Sequence, residues 1–189
     1  SLFVFTKRLP RGKGQHQEDF YYTQTNEQGL WFPAKAVGAP INTDGNEGAA
    51  SITSDGKNMF FTKCSDNPND RVTYGSCDIF YAPRVGDQWG KPMNLGPTVN
   101  GPAWDAQASM SSDGMRLYFT SARPGGKGGK DIWYSVFKDG KWNVPVNAGD
   151  AINTPGNEFS PFIHPDGRTL YFSSDYHLGM GGTDYFMSR

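Results

Sequence analysis

Apolar positions in this chain come in short aromatic runs, and the polar residues between the runs repeat with them. Four runs share one pattern: Phe3-Val-Phe-Thr-Lys7, Met59-Phe-Phe-Thr-Lys63, Leu117-Tyr-Phe-Thr-Ser121 and Leu170-Tyr-Phe-Ser-Ser174. Ahead of the last three stands an Asp-Gly pair (Asp55-Gly56, Asp113-Gly114, Asp166-Gly167), preceded after seven residues by an acid, Glu47, Asp105 or Glu158. Behind all four comes a second run led by Asp: Asp19-Phe-Tyr-Tyr22, Asp78-Ile-Phe-Tyr81, Asp131-Ile-Trp-Tyr134 and Asp184-Tyr-Phe-Met187. A Trp follows at 31, 89 and 142, with Gly seven and Asn eleven residues further on in every copy. Register held over three copies marks an internal repeat.

Each repeat reads as four antiparallel strands. The first precedes the Asp-Gly, where Gly accepts the positive φ of a tight turn. The second carries the aromatic run, the third starts at the repeated Asp, and the fourth surrounds the Trp. Four-stranded units of this length, stacked through aromatic faces, predict the blades of a β-propeller in an all-β chain. A sandwich of hairpins would not explain four slots recurring in fixed order. The blade parts are expected at 1–46, 47–104, 105–157 and 158–189, with fourteen strands in about three and a half blades. That arc is expected to be part of a larger propeller, because it leaves edges and apolar faces uncovered.

Composition agrees. Gly is 24 of 189, Pro 13, and aromatics are 14% of the chain, a profile that disfavours long helices. A net charge of −1 excludes the broad basic footprint of a nucleic-acid or anionic-membrane binder. No apolar run is long enough to be a membrane-spanning helix. The apolar opening at 1–6 is too short for a signal segment and lacks a basic flank, so the chain is expected to begin as a mature or excised segment.

The segment Ser160-Pro-Phe-Ile-His-Pro-Asp-Gly-Arg-Thr-Leu-Tyr-Phe-Ser-Ser174 resembles the Pro-Asp-Gly variant of WD-like repeats found in TolB-type propellers. The runs at 121–132 and 146–158 are similar to repeats of multidomain OmpA-family proteins of Bacteroidetes-type bacteria, among them PorE-like components of type IX secretion. This resemblance covers essentially the whole chain and implies a periplasmic propeller, with outer-membrane association and a role in protein transport as further expectations. In such proteins, peptidoglycan is bound by a separate domain, which lies outside these residues. Ser54 and Ser112 depart from the pattern by replacing the Pro before Asp-Gly, which removes a φ constraint.

Candidate chemistry is sparse. Cys64 ends a second strand and Cys77 precedes the third-strand Asp78, so the two flank one hairpin loop, within reach of a disulfide. Such a bridge points to an oxidising compartment, which agrees with the periplasm implied above. Two unrelated thiols are the alternative, and a metal pair lacks further ligands nearby. Neither the three His residues, His16, His164 and His177, nor the Gly-rich 125–129 segment carries a catalytic or phosphate-binding spacing. The repeated acids read first as blade-forming hydrogen-bond acceptors, with cation binding as the alternative. The Trp set reads as inter-blade packing. No catalytic residue, metal ligand or cofactor site stands apart from the repeat.

What varies between copies is the hairpin between second and third strands, at 8–18, 64–77, 122–130 and 175–183. Variable loops on a rigid scaffold are where recognition resides. The expected partner contacts are Arg71, Tyr74, Arg123, Lys127 and His177 in those loops, and Trp104, which stands where other copies carry Asn46 and Asn157. The leading expectation is a non-catalytic interaction scaffold for other envelope proteins, without cofactor. The rivals are a propeller domain of a glycan- or peptide-processing hydrolase and a ligand- or cation-sensing domain.

Overall fold

A computed structural model describes residues 2–12, 14–65 and 73–189, and they form four antiparallel sheets arranged as the blades of a β-propeller, with no helix among them. Sheet I holds β1 (Leu2–Gly12), β2 (Gln15–Gln24) and β3 (Lys35–Ala36). Sheet II holds β4 (Asn46–Ile52), β5 (Asn58–Cys64) and β6 (Cys77–Val85), with β7 (Gln88–Trp89) and β8 (Met93–Asn94) both paired to β6. Sheet III repeats this in β9 (Asp105–Met110), β10 (Arg116–Ser121), β11 (Asp131–Lys138), β12 (Lys141–Trp142) and β13 (Val146–Asn147). Sheet IV holds β14 (Glu158–Ile163), β15 (Leu170–Ser174) and β16 (Asp184–Ser188).

Fourteen strands were expected and sixteen are found among the described residues, because the fourth strand is split in two sheets. Trp89 pairs with Arg84 near the end of β6, then the chain leaves the ladder and re-pairs at Asn94 opposite Phe80. Trp142 and Asn147 do the same on β11. Pro92 and Pro145 fall in the two breaks, and proline has no N–H to give to a ladder. The hairpin expected as a loop at 8–18 is also different. Pairing runs on from Arg8↔Glu18 to Pro10↔His16, so β1 and β2 form a projecting ribbon.

Alternation along the strands sends successive side chains to opposite faces of each sheet, and both faces are apolar. Met59, Phe61, Phe80 and Ala82 of sheet II meet Phe20 of sheet I and Ile41 of the connector that follows it. On the other face, Phe60 and Ile79 meet Ala108, Met110, Leu117, Phe119 and Trp133 of sheet III. Ile132 of sheet III joins Ile163, Leu170 and Phe172 of sheet IV. Each fully buried Phe contributes roughly 1.5–3 kcal/mol, so these seams carry most of the favourable energy. Trp89 and Trp142 pack on the seams, whereas Trp31 lies on the outward face of sheet I against Phe3. Tyr185 and Met187 are exposed on sheet IV.

Polar contacts stitch the seams in register. Ala49, Gln107 and Ser160 occupy the same bulge position in β4, β9 and β14, each with φ between 50° and 57°. Their N–H groups donate to the preceding sheet: Ala49 to Thr6 Oγ1 at 3.3 Å, Gln107 to Thr62 Oγ1 at 2.9 Å, Ser160 to Gln107 Oε1 at 3.0 Å. The left-handed conformation costs about 1–2 kcal/mol per residue, and the cross-seam bond helps offset it. Because Gln107 takes the third donor, the equivalent Thr120 hydroxyl is buried without a partner. The two Ser substitutions before Asp-Gly have a role as well. Ser54 Oγ donates to the Ser112 carbonyl, and Ser112 Oγ to the Pro165 carbonyl, both at 3.0 Å.

Cys64 and Cys77 pair across β5 and β6 and form a disulfide, with Cα atoms 4.0 Å apart. The repeated Asn acts as a backbone surrogate. Asn100 Oδ1 accepts the Ile79 N–H and its Nδ2 donates to the Ile79 carbonyl, both at 2.9 Å; Asn153 does this for Ile132 and Asn42 for Phe20.

Asn100→Ala strands two buried backbone groups and is expected to lower unfolding free energy by about 2–4 kcal/mol in urea titration, with a smaller loss for the more exposed Asn42→Ala. Cys64→Ser is expected to cost about 3 kcal/mol at most by loop closure. Finding both thiols freely alkylated in protein prepared without reductant would contradict that bridge.

Candidate functional site

In an antiparallel meander the hairpins after the second strands and the connectors between sheets share one face, while the Asp-Gly turns lie on the other. On the hairpin face, the repeated Asp grips its own loop. Asp78 accepts the N–H groups of Tyr74 at 2.7 Å and Gly75 at 3.2 Å, plus Asn94 Nδ2 at 2.7 Å. Asp131 accepts those of Lys127 and Gly128 and Asn147 Nδ2, and Asp184 accepts the Met180 N–H. The residue four before each of these Asp is thereby presented at the loop crest: Tyr74 is 51% exposed, Lys127 exposed, Met180 98% exposed. Gly75 and Gly128 follow because a Cβ there would strike the carbonyls of Ala103 and Gly156 in the connectors beneath. Asp19 has no such loop and takes Gln17 Nε2 instead.

The expected contact residues divide. Tyr74 and Lys127 share the crest position, and the Lys127 ammonium pairs with Asp150. Arg123 turns inward: its guanidinium bonds Asp105, the Val99 carbonyl and Ser121 Oγ, against the rings of Phe119 and Trp133. His177 is wedged against Phe172 and Phe186, with Nε2 2.8 Å from the Ile152 carbonyl. Trp104 is half-buried, its ring 4.7 Å below the Lys130 ammonium. Arg71 lies outside the described residues. Leu178 and Met180, the most exposed apolar side chains on this face, were not singled out from sequence; the available signal was Met180 in the crest slot of a Gly-rich hairpin, with Leu178 two residues before it.

The repeated acids do not converge. Glu47 accepts the Thr43 N–H and hydroxyl, Glu158 those of Thr154, and Asp105 the Gly101 N–H, so each holds its own connector. Among the described residues, no group of three or more His, Cys, Asp or Glu is placed to share a metal ion. Burial pushes the Glu47 and Asp78 carboxyls above their ordinary range, against the opposing hydrogen bonds. Asp55 and Asp113 in the exposed turns are held below it by the Thr53 and Ser111 hydroxyls and the N–H groups of Lys57 and Met115.

On the Asp-Gly face, a cleft of about 720 Å³ opens between sheets II and III. Phe60, Tyr81 and Trp142 are among its walls, with Asp55, Asp113 and Lys141 also lining it. A smaller cleft of about 550 Å³ lies between sheets I and II, beside Trp89.

No protein-family profile matches the chain, and no curated protein sequence does. Solved structures do. A protein assigned as TolB from Agrobacterium tumefaciens superposes with a TM-score of 0.60 at 18% identity, over 98% of this chain and 61% of that one. A Hadza microbial sialidase gives 0.59 at 14% identity, over 100% and 42%. TolB from Acinetobacter baumannii gives 0.52 at 18% identity, over 90% and 34%. The chain therefore spans less than two thirds of each, and the likeness establishes a TolB-like propeller fold.

The raised Asp78 carboxyl has a consequence for stability. A group that binds its proton more tightly when folded stabilises most while protonated, and that contribution is lost as pH rises from about 4 through the folded pKa. The stability deficit of Asp78→Asn is accordingly expected to be largest near pH 4 and to shrink toward neutrality. A deficit that grows with pH in denaturant titrations would show that the hydrogen bonds, not burial, dominate.

Proposed function

We propose that the chain is a non-catalytic, periplasmic protein-interaction propeller that engages other envelope proteins through its hairpin face. The observation that carries this reading is the row of crest residues, Tyr74, Lys127 and Met180. Each is held out from a rigid blade by a buried or half-buried Asp. Preorganised side chains lose little entropy on binding, which is what a recognition surface needs. The Cys64–Cys77 disulfide supports an oxidising compartment. Within that reading we place the chain in an OmpA-family envelope or type IX secretion component, on the resemblance of its repeats, with peptidoglycan contacted only through a domain elsewhere. The rival, a propeller domain serving a hydrolase, has the same fold support but no residue constellation in its favour among the described residues.

A photo-crosslinking amino acid at position 74 or 127, in cells that make the protein, is expected to trap envelope proteins, while the same group at Met115 on the opposite face traps none. Crosslinks from Met115 alone would overturn the assignment of the face.

A further inference from the structure

We propose that the cleft between sheets II and III is a binding site for a short neutral oligosaccharide, independent of the hairpin face. The floor and one wall are aromatic and aliphatic. Phe60 stacks on Tyr81 at 6.1 Å, Trp142 is backed by Phe137 at 5.1 Å, and Leu95 and Met110 complete the apolar surface. The rim is polar and in part unspent. Asp113 uses Oδ1 for the Ser111 hydroxyl and the Met115 N–H, which leaves Oδ2 without a donor among the described residues. The Asn58 amide, the Thr98 hydroxyl and the Lys141 ammonium, which also line the cleft, have no side-chain hydrogen bond or ion pair among the described residues.

That inventory selects the ligand. Sites of about 300–1,000 Å³ with apolar walls and a few convergent polar groups are the usual form of a small-molecule pocket. Asp55 and Asp113 line the rim with Lys141, and Lys57 lies 3.9 Å from Asp55, so the charges are close to balance and favour a neutral ligand over an anion or a cation. A basic peptide side chain would suit the carboxylates and be repelled by Lys141. A purely apolar ligand would leave the rim groups desolvated and unpaired, at a cost. A saccharide meets both surfaces, because its ring C–H faces lie on the electron-rich faces of aromatic rings while its hydroxyls both donate and accept.

The cleft is not a simple by-product of the repeat. Its counterpart between sheets I and II has the Arg84 guanidinium 5.7 Å over the Trp89 ring, and no Asp-Gly turn frames it. Of the two, the larger cleft has, among the described residues, a Trp free of a cation, two Asp-Gly turns and an unpaired Lys.

The test is titration of the protein with chitotriose, maltotriose and cellotriose, followed by calorimetry and by the indole resonance of Trp142. At least one trisaccharide is expected to bind saturably and move that resonance. Lys141→Gln and Asp113→Asn, which keeps the Oδ1 acceptor of the turn, should each weaken it about fivefold, the worth of one hydrogen bond near 1 kcal/mol. Trp142→Phe serves as a second, packing-conservative variant and should also weaken it. No saturation by any of the three up to about 10 mM, or binding indifferent to all three substitutions, would overturn the proposal. Tighter binding of 3′-sialyllactose or of the tripeptide Gly-Lys-Gly would overturn it in favour of an anionic or basic occupant. Loop-face crosslinking is unaffected by any of these results, so the two readings stand or fall separately.

Discussion

A relay of three side chains, buried at both ends and half-buried in the middle, holds each complete blade together. In sheet II, Asp78 accepts from Asn94 Nδ2, Asn94 Oδ1 accepts from Asn100 Nδ2 at 2.7 Å, and Asn100 clamps both backbone groups of Ile79. Sheet III repeats it with Asp131, Asn147, Asn153 and Ile132 at 2.8 Å for each link. One relay joins the hairpin loop, the second half of the fourth strand, the connector and the third strand. It satisfies groups that are buried and would each cost about 1–3 kcal/mol if left unpaired. Sheet I shows what the middle link is for. Ala36 stands where Asn94 and Asn147 stand, Asp19 turns to Gln17, and the hairpin above runs on as a ribbon rather than a gripped loop.

The seams between blades depend on this internal order. Apolar packing is non-directional and would tolerate sliding, whereas the bulge N–H groups and the Ser54–Ser112–Pro165 series demand one register. The relay fixes where the third strand starts, the third strand fixes the second, and the second presents Thr6 or Thr62 to the next blade. Positive φ at three non-glycine residues is tolerated for the same reason: the surroundings over-determine the bulge.

Repetition made much of this legible in the sequence, because a slot filled the same way three times must serve the blade itself. Asp, Asn and Asp-Gly positions, the aromatic strands and the cysteine pairing all followed from it. The split fourth strand did not, although Pro92 and Pro145 stood in view; the Trp drew the strand across a gap that proline enforces. Arg123 is expected from sequence as a partner contact, since nothing in the sequence shows that Asp105, eighteen residues earlier, lies against it across the strand pair. The cleft was invisible for a related reason. Its walls come from segments far apart in the chain, and no local motif marks the space they enclose.

Two surfaces with different physics result. On the hairpin face, single side chains are raised on gripped loops, so contact is made by projections whose identity changes from Tyr to Lys to Met while the Asp beneath each holds its N–H. That geometry suits a macromolecule able to touch several blades at once, where affinity accumulates over separate contacts. On the Asp-Gly face, the turns are alike and the variation lies between blades, in what packs on the Trp. Arg84 occupies that place in one seam and Phe137 in the next. Changing that one residue of a repeat replaces a cation on the indole with a ring, while the relay recurs in both blades. The repeat therefore separates the residues that build the blade from those that are free to acquire a ligand.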